Sequence, residues 1–215
     1  MARDLVVLRP RADRELLTRY VESLAIRTAA VADVTSSAVA AGVTRKTAQA
    51  YGKLLRGVHV LSLLPAWYSN RLKRLTRRPK QHLVEPALLG PAARVDVNTV
   101  LGDAGLFGRL LESFVVAQLR AELEWSRTRA RMYHLRLEKG EHEIDLVLEA
   151  GRRVVGVKVK AAASVDARDV RHLAWLRDRL GEQFLLGVVL HCGALAQPLG
   201  ERLLAAPIET LWRTG

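Results

Sequence analysis

Charged and apolar residues alternate over two neighbouring stretches in the C-terminal half of the chain. Glu143 and Asp145 alternate with apolar residues in the first stretch, and Lys158 and Lys160 alternate with valines in the second. A period of two predicts strands whose side chains point to opposite faces in turn. A two-residue loop at Ala150-Gly151 would make a hairpin, pair Glu143 with Lys158 and place all four charged side chains on one face.

Carboxylates grouped with a lysine have the composition of a divalent-metal site. Asp and Glu supply the hard oxygen ligands that Mg²⁺ prefers, and a lysine can orient an attacking water or balance the charge of a phosphate. The same residues also suit a solvated polar face with a Glu143–Lys158 ion pair, which would add little stability. The spacing alone leaves both interpretations open.

The predicted elements around this hairpin are helices and strands in a fixed order. Apolar residues recur every three or four positions after Phe107, which predicts an amphipathic helix with Glu112 at the edge of its apolar stripe. The expected elements are a helix over 107–119, a strand over 131–137, the hairpin, a helix over 165–180, a strand over 183–190 and an edge strand over 207–212.

This order and its motifs resemble the restriction-endonuclease-like PD-(D/E)XK fold. The segment is more narrowly similar to the uncharacterised C-terminal domain that follows an AAA+ ATPase module in many bacterial and archaeal chains. The resemblance implies a catalytic helix glutamate at Glu112, a middle acid at Asp145 and a motif lysine at Lys160, with Asp145 and Glu112 as ligands of Mg²⁺. The family pattern has a glutamate where this chain has Lys158. That reversal of charge argues against catalysis unless Glu143 replaces the missing ligand.

The N-terminal half carries a predicted helix-turn-helix. A helix that is capped by Asp13 and runs to about Thr28 precedes a short helix over 34–41 and a Gly42-Val43 turn. A second helix over 45–56 follows, with Thr44 as its N-cap. An apolar stretch over 58–64 suits a wing strand, and the segment resembles the winged-helix region of the related ATPase chains. By helical spacing, four side chains of the second helix point outward. These candidate DNA contacts are Arg45, Lys46, Gln49 and Lys53. An ordinary helical packing domain that binds no DNA fits the same pattern.

Residues 71–80 hold six basic residues and no acid. Such a stretch can follow a phosphate backbone, although a basic loop packed on an acidic partner fits as well. The candidate contacts are Arg71, Lys73, Arg74, Arg77, Arg78 and Lys80. The following residues 85–88 resemble, in altered form, an Asp-x-Gly-Leu segment of the related family. Trp67 and Tyr68 lie close to this stretch and could stack on a base, but we expect them in the core.

Composition limits the class of protein and its compartment. The 215 residues are 49% hydrophobic and 26% charged, which indicates a globular protein. A single cysteine favours the reducing cytoplasm. The apolar runs are too short to span a bilayer, so we expect no membrane partner. The net charge of +12 lies mostly in residues 1–100, where 17 basic residues face 7 acidic ones, which predicts a polyanionic partner.

We therefore predict a mixed α/β (α+β) fold with a basic winged-helix-like domain over 12–89 and a PD-(D/E)XK nuclease-like domain over 100–215, separated by a loop over 90–103. The favoured function is a nucleic-acid-binding module, with double-stranded DNA as the partner and a degenerate nuclease site. The alternatives are an Mg²⁺-dependent endonuclease and a regulatory domain for an AAA+ ATPase partner. The sequence contains no Gly-x-x-x-x-Gly-Lys-Ser/Thr phosphate-binding loop, so the usual family layout is not followed.

Overall fold

The computed structural model describes residues 12–69, 77–137 and 141–212. Over these ranges the protein has seven α-helices, a two-stranded sheet and a six-stranded mixed sheet, which confirms the predicted mixed α/β class. The helices are α1 (Ala12–Ile26), α2 (Val34–Ala41), α3 (Arg45–Gly57), α4 (Leu89–Ala93), α5 (Val97–Gly102), α6 (Ala104–Trp125) and α7 (Ala167–Leu180). The strands are β1 (Leu61–Leu64), β2 (Lys80–Leu83), β3 (Arg131–Arg136), β4 (Glu143–Ala150), β5 (Arg153–Lys160), β6 (Phe184–His191), β7 (Gln197–Gly200) and β8 (Leu203–Pro207).

Side-chain caps and a left-handed glycine define the two helices predicted around Gly42. Asp33 accepts hydrogen bonds from two backbone N–H groups at the start of α2, and Thr44 accepts one from Thr47 at the start of α3. Gly42 has a φ of +67°, a conformation that costs glycine little, and it ends α2. These contacts confirm the predicted turn and the Thr44 cap. Asp13 lies within α1, so its predicted role as an N-cap is wrong.

The main sheet has the strand order β3-β4-β5-β6-β8-β7. The β3–β4, β4–β5 and β7–β8 pairs are antiparallel, whereas β5–β6 and β6–β8 are parallel. Helix α7 makes the crossover from β5 to β6 and packs against one face of the sheet, and α6 packs against the other. Gly156 brings α7 close to the sheet, because a Cβ there would lie only 2.8 Å from Leu173 Cδ2.

The β4–β5 hairpin turns one residue later than predicted. Ala150 pairs with Arg153, so the loop is Gly151-Arg152 and every pair is displaced by two positions from the expected register. Gly156 therefore lies opposite Val147. The prediction failed because Gly151, with a φ of +61°, takes the first loop position, where a glycine is favoured.

A β-bulge interrupts β4 at Asp145. Tyr133 pairs with Val147 and Leu135 pairs with Ile144, so His134 of β3 faces two residues of β4. The extra residue changes which side chains share a face. Ile144 packs in the cluster that contains Leu173 of α7, whereas Leu146 packs with Val115 of α6.

Two segments differ from their predicted structure. The expected loop over 90–103 contains most of α4 and all of α5, because Asp96 caps a helix through the backbone N–H of Thr99 and Val100 is buried. The expected edge strand over 207–212 is instead a short 3-10 helix, Ile208–Leu211, and the edge of the sheet is β7.

The N-terminal half packs directly on the main sheet and α6. The Thr28 and Ser113 hydroxyls are 2.7 Å apart in the interior, and Trp67 Nε1 donates to Glu149 at 3.2 Å. Trp67 is only 6% exposed, which confirms its predicted place in the core. Within the ranges that the structure describes, no helix is long and apolar enough to cross a membrane.

Candidate functional site

Three carboxylates meet at a single ammonium group where α6, β2 and β4 come together. Lys80 Nζ lies 2.8 Å from Glu112 Oε1, 3.0 Å from Glu143 Oε1 and 3.7 Å from Asp145 Oδ1. The Lys80 side chain is only 2% exposed. The sequence predicted Glu112, Glu143 and Asp145 as site residues, and the structure brings all three together. It also buries Lys80, so the prediction that Lys80 contacts a phosphate backbone is wrong.

A second lysine holds Asp145 from the other strand of the hairpin. Lys158 Nζ donates to Asp145 Oδ1 at 2.9 Å, and the Val159 backbone N–H donates to Asp145 Oδ2 at 2.8 Å. The backbone pairing of β4 with β5 ends at Leu146 and Val157. The Val159 N–H lies beyond that end, and the Asp145 carboxylate accepts its hydrogen bond in place of a β4 carbonyl. Asp145 is therefore fixed by three cationic or N–H partners.

Lys160, the residue predicted as the motif lysine, does not join this group. Its Nζ contacts Asp169 Oδ2 on the first turn of α7. Asp169 also accepts from the Asp166 backbone N–H in a capping box that starts the helix. The predicted cluster of four charged side chains therefore forms only in part: Glu143, Asp145 and Lys158 belong to the ion-pair network around Lys80, whereas Asp169 of α7 holds Lys160.

Burial and charge set the protonation of the cluster. Burial raises the pKa of the Glu112 carboxyl to about 8, and the neighbouring Asp145 charge adds to this rise. Burial also disfavours the charged form of Lys80, but Glu112, Asp145 and Glu143 outweigh it and raise the pKa of the ammonium above its ordinary value. Three carboxylates face only two ammonium groups, those of Lys80 and Lys158. The raised pKa of Glu112 reflects its burial and the nearby Asp145 charge.

The other two carboxylates stay ionised. Burial opposes the charge of Asp145, but Lys158, Lys80 and the Val159 N–H outweigh burial and lower its pKa. Burial likewise opposes the charge of Glu143, but the charge and hydrogen bond of Lys80, together with Arg136, outweigh burial and lower the pKa of this carboxyl. Arg136 Nε, at 3.8 Å from Glu143 Oε2, adds to the same effect.

The residues present do not fit the Mg²⁺ ion that the resemblance implies. Mg²⁺ needs oxygen ligands about 2.1 Å away in octahedral array, and the point on which these carboxylates converge is taken by Lys80 Nζ. Lys158 adds a second positive charge next to Asp145. Within the described ranges, no group of three or more His, Cys, Asp or Glu side chains is arranged to hold a metal ion.

Buried neutral histidines border the cluster. His82 Nδ1 lies 3.1 Å from the Ser113 hydroxyl, which contacts Thr28, so a polar chain links β2, α6 and the end of α1. Burial lowers the pKa of His82 to about 3 and that of His134 to about 4, and the Lys80 charge contributes to both shifts. Sequence reasoning did not place Lys80 or His82 in this cluster, because Lys80 ends a run of basic residues and the strand that contains both residues is mostly polar.

The predicted nucleic-acid contacts lie in two places. Arg45, Lys46, Gln49 and Lys53 are exposed on α3, opposite the buried side chains of Ala48, Tyr51 and Leu55. Arg77 and Arg78 are exposed before β2, and the Arg77 guanidinium lies 5.4 Å from the centre of the Tyr68 ring. Three further predicted contacts fall outside the described residues. These are Arg71, Lys73 and Arg74.

Comparison with known proteins finds two domains of unknown function. Residues 107–211 match the family model of DUF4143, and residues 1–99 match that of DUF8612. An uncharacterized protein of Mycobacterium bovis and one of Mycobacterium tuberculosis are each 25% identical to this chain over 173 residues. Each alignment covers 80% of this chain and 37% of the relative, so the chain spans little more than a third of those proteins.

Proposed function

We propose that the protein is a nucleic-acid-binding module whose nuclease-like domain does not cut. The position of Lys80 Nζ, within 3.7 Å of oxygens from Glu112, Glu143 and Asp145, carries this proposal. A metal-dependent nuclease uses such oxygens to hold a cation that polarises a phosphate and activates water. A buried ammonium has no open coordination position, so it supplies neither effect.

The placement of the motif residues supports a restriction-endonuclease-like core. Glu112 lies on the helix before the sheet, Asp145 on the middle strand of an antiparallel trio, and Lys158 and Lys160 on the next strand. The parallel crossover from β5 through α7 to β6 follows. In this assignment Lys158 occupies the position where the family pattern has a glutamate. The Lys80 ammonium occupies the position that a metal ion would take between the carboxylates.

The N-terminal elements support a winged helix that binds double-stranded DNA. Helix α3 follows a tight turn at Gly42 and presents exposed basic and amide side chains, and β1 pairs with β2 as a small antiparallel sheet beside it. An α-helix fits the major groove of B-form DNA, where basic side chains also reach phosphates. The concentration of positive charge in residues 1–100 favours such a partner.

A role in an AAA+ ATPase system is the second candidate. DUF4143 is commonly associated with AAA ATPases, and the two mycobacterial relatives are much longer than the aligned region. The module would then bring DNA to an ATPase partner in the cytoplasm. Active Mg²⁺-dependent cleavage is the remaining alternative, and it requires Lys80 to leave the three carboxylates.

Fluorescence anisotropy with a labelled DNA duplex, measured over a range of salt concentrations, tests binding. We expect affinity to fall with salt by a log–log slope of about 0.9 per phosphate contacted. Replacing Arg45, Lys46 and Lys53 by Gln should flatten that slope. The same number of substitutions at Arg152, Arg153 and Arg168, which are exposed on the main-sheet domain, is the matched control and should leave it unchanged.

Incubation of plasmid DNA with Mg²⁺ or Mn²⁺ tests cleavage. We expect the plasmid to stay supercoiled with the wild-type protein. Nicking that requires metal and disappears in Asp145→Asn would establish the endonuclease alternative instead. Failure to bind DNA, together with a salt-insensitive complex with an ATPase, would refute nucleic-acid binding and favour the interaction role.

A further inference from the structure

A cleft lined by four arginines opens beside the Lys80 cluster. Its volume is about 550 Å³, within the range of roughly 300–1,000 Å³ that is usual for ligand pockets. The cleft is lined by Arg27, Arg77, Arg78 and Arg136, all exposed, and by the buried ring of His134. It lies where the N-terminal half meets β3, so neither half forms it alone.

Backbone hydrogen bonds fix the three segments that supply these arginines. The segment after α1 pairs with the start of β2, since Ala29 N donates to Gln81 O at 2.7 Å and Ala32 N donates to Pro79 O at 2.8 Å. The segment after β1 pairs with β3, since His134 N donates to Pro65 O at 2.9 Å. The four guanidinium groups are thus carried by a framework that is already ordered, which lowers the entropic cost of binding a ligand.

The ion pairs of Lys80 add to this framework. Lys80 follows Arg78 by two residues, and its buried ammonium anchors the start of β2 to α6 and β4. The His134 ring packs beneath the same segment, with its Nε2 3.3 Å from the Arg78 carbonyl oxygen. In a metal-dependent nuclease these carboxylates would bind the metal ion. Here they bind Lys80 and so position the start of β2, which follows Arg77 and Arg78 in the chain.

The charge of the cleft is strongly positive. One carboxylate, Asp33, lies among the lining residues, and its oxygens accept from the Thr35 and Ser36 backbone and from the Ser36 hydroxyl. Glu143, which pairs with Lys80, also lies 3.8 Å from the cleft residue Arg136. Within the described ranges, the four guanidinium groups, each with a planar set of donors, therefore outnumber the two carboxylates beside them, Asp33 and Glu143, and this excess of positive charge suits phosphate oxygens.

We propose that this arginine cleft binds the phosphates of a nucleic-acid strand and leads it past the Lys80 cluster. This inference rests on the proposed nucleic-acid binding and adds a second contact surface to α3. Arg136 joins the two sites, because it lines the cleft and also approaches Glu143. A strand in the cleft would lie next to the position where a nuclease would act, and it would remain intact.

The double variant Arg27→Gln/Arg136→Gln tests the cleft by anisotropy with labelled single-stranded and duplex DNA. We expect affinity at moderate salt to fall about tenfold or more and the log–log salt slope to decrease by about 0.7 to 0.9 for each lost phosphate contact. The control Arg152→Gln/Arg153→Gln removes the same charge at the turn end of β4, far from Glu143 at its other end. It should leave affinity and slope unchanged, and thermal melting of all variants checks their folding.

The outcomes separate this inference from the proposed function. If the cleft variant keeps the salt slope of the wild type and binding is lost only when α3 is changed, the cleft does not bind DNA, although the protein still does. Absence of binding by the wild type would overturn both. Full displacement of the DNA by a mononucleotide or inorganic phosphate would show a small-phosphate site, and equal binding of polyglutamate would show an acidic-peptide site. Either result overturns the assignment to a strand.

Discussion

The Lys80 side chain is 2% exposed, whereas Lys46 and Lys53 on α3 lie at the surface. An ammonium removed from water is stable only where negative charge and hydrogen-bond acceptors replace its hydration. Glu112 and Glu143 supply those acceptors at 2.8 and 3.0 Å. Removing the lysine alone would leave the carboxylates buried with too few cations.

We expect Lys80→Met to lower the free energy of unfolding by about 3 to 5 kcal/mol, as breaking one partner of a buried ion pair usually does. Adding Glu112→Gln should recover part of the loss, because it removes one of the carboxylates left unpaired. Urea unfolding followed by circular dichroism measures both effects. Lys46→Met is the control, and a loss in Lys80→Met no larger than in the control would contradict this account.

At the scale of the element, patterns in the sequence predicted most of the helices and strands but not how the strands pair. The periodicity of α6, the turn at Gly42 and the Thr44 cap of α3 are local signals, and they predicted these elements correctly. The hairpin register and the bulge at Asp145 depend on which residue enters the turn and on what β3 presents opposite, so a displacement of two positions was missed. The burial of Lys80 depends on contacts with residues 32 and more positions away, which no local pattern reports.

The end of β6 gives a prediction at this scale. A Cβ on Gly193 would lie 2.1 Å from the Ala163 carbonyl oxygen, in the segment after β5 that also accepts from the Cys192 N–H. Gly193→Ala must therefore displace backbone, and we expect a loss of about 1 to 3 kcal/mol in the free energy of unfolding. Gly108→Ala in α6, where nothing lies within 4 Å of the added methyl, should gain about 0.5 to 1 kcal/mol. Thermal melts of the two variants compare them, and equal shifts would refute the argument.

At the scale of the whole molecule, stability depends on pH through groups at the contact between the two halves. His82 and His134 are neutral in the folded protein, with pKa values lowered to about 3 and 4. The unfolded chain binds their protons below about pH 6.5, so each histidine lowers the free energy of unfolding by up to about 1.4 kcal/mol per pH unit as pH falls. Glu112 acts in the opposite direction, because the stability from its raised pKa is lost as pH rises towards 8.

Urea unfolding at about pH 7.5, 6.5 and 5.5 measures this dependence. We expect the free energy of unfolding to decrease as the pH is lowered from about 6.5 to 5.5. Over this interval the destabilising effect of the two histidines exceeds the stabilising effect of Glu112. In His82→Asn, which keeps a polar group near Ser113, the fall should be shallower by the share of one histidine. Parallel curves for the variant and the wild type would show that His82 contributes nothing to the dependence.

The ammonium of Lys80 is covalently attached to the molecule whose carboxylates it neutralises, 32 residues before Glu112. A tethered group acts at an effective concentration set by the chain, which can reach the millimolar range even for a flexible linker, and here the fold holds it in contact. Free divalent ions therefore compete with a counterion that cannot diffuse away. Changes in the concentration of Mg²⁺ should therefore leave Lys80 bound to these carboxylates. Only a local opening of β2 would let a divalent ion replace the ammonium.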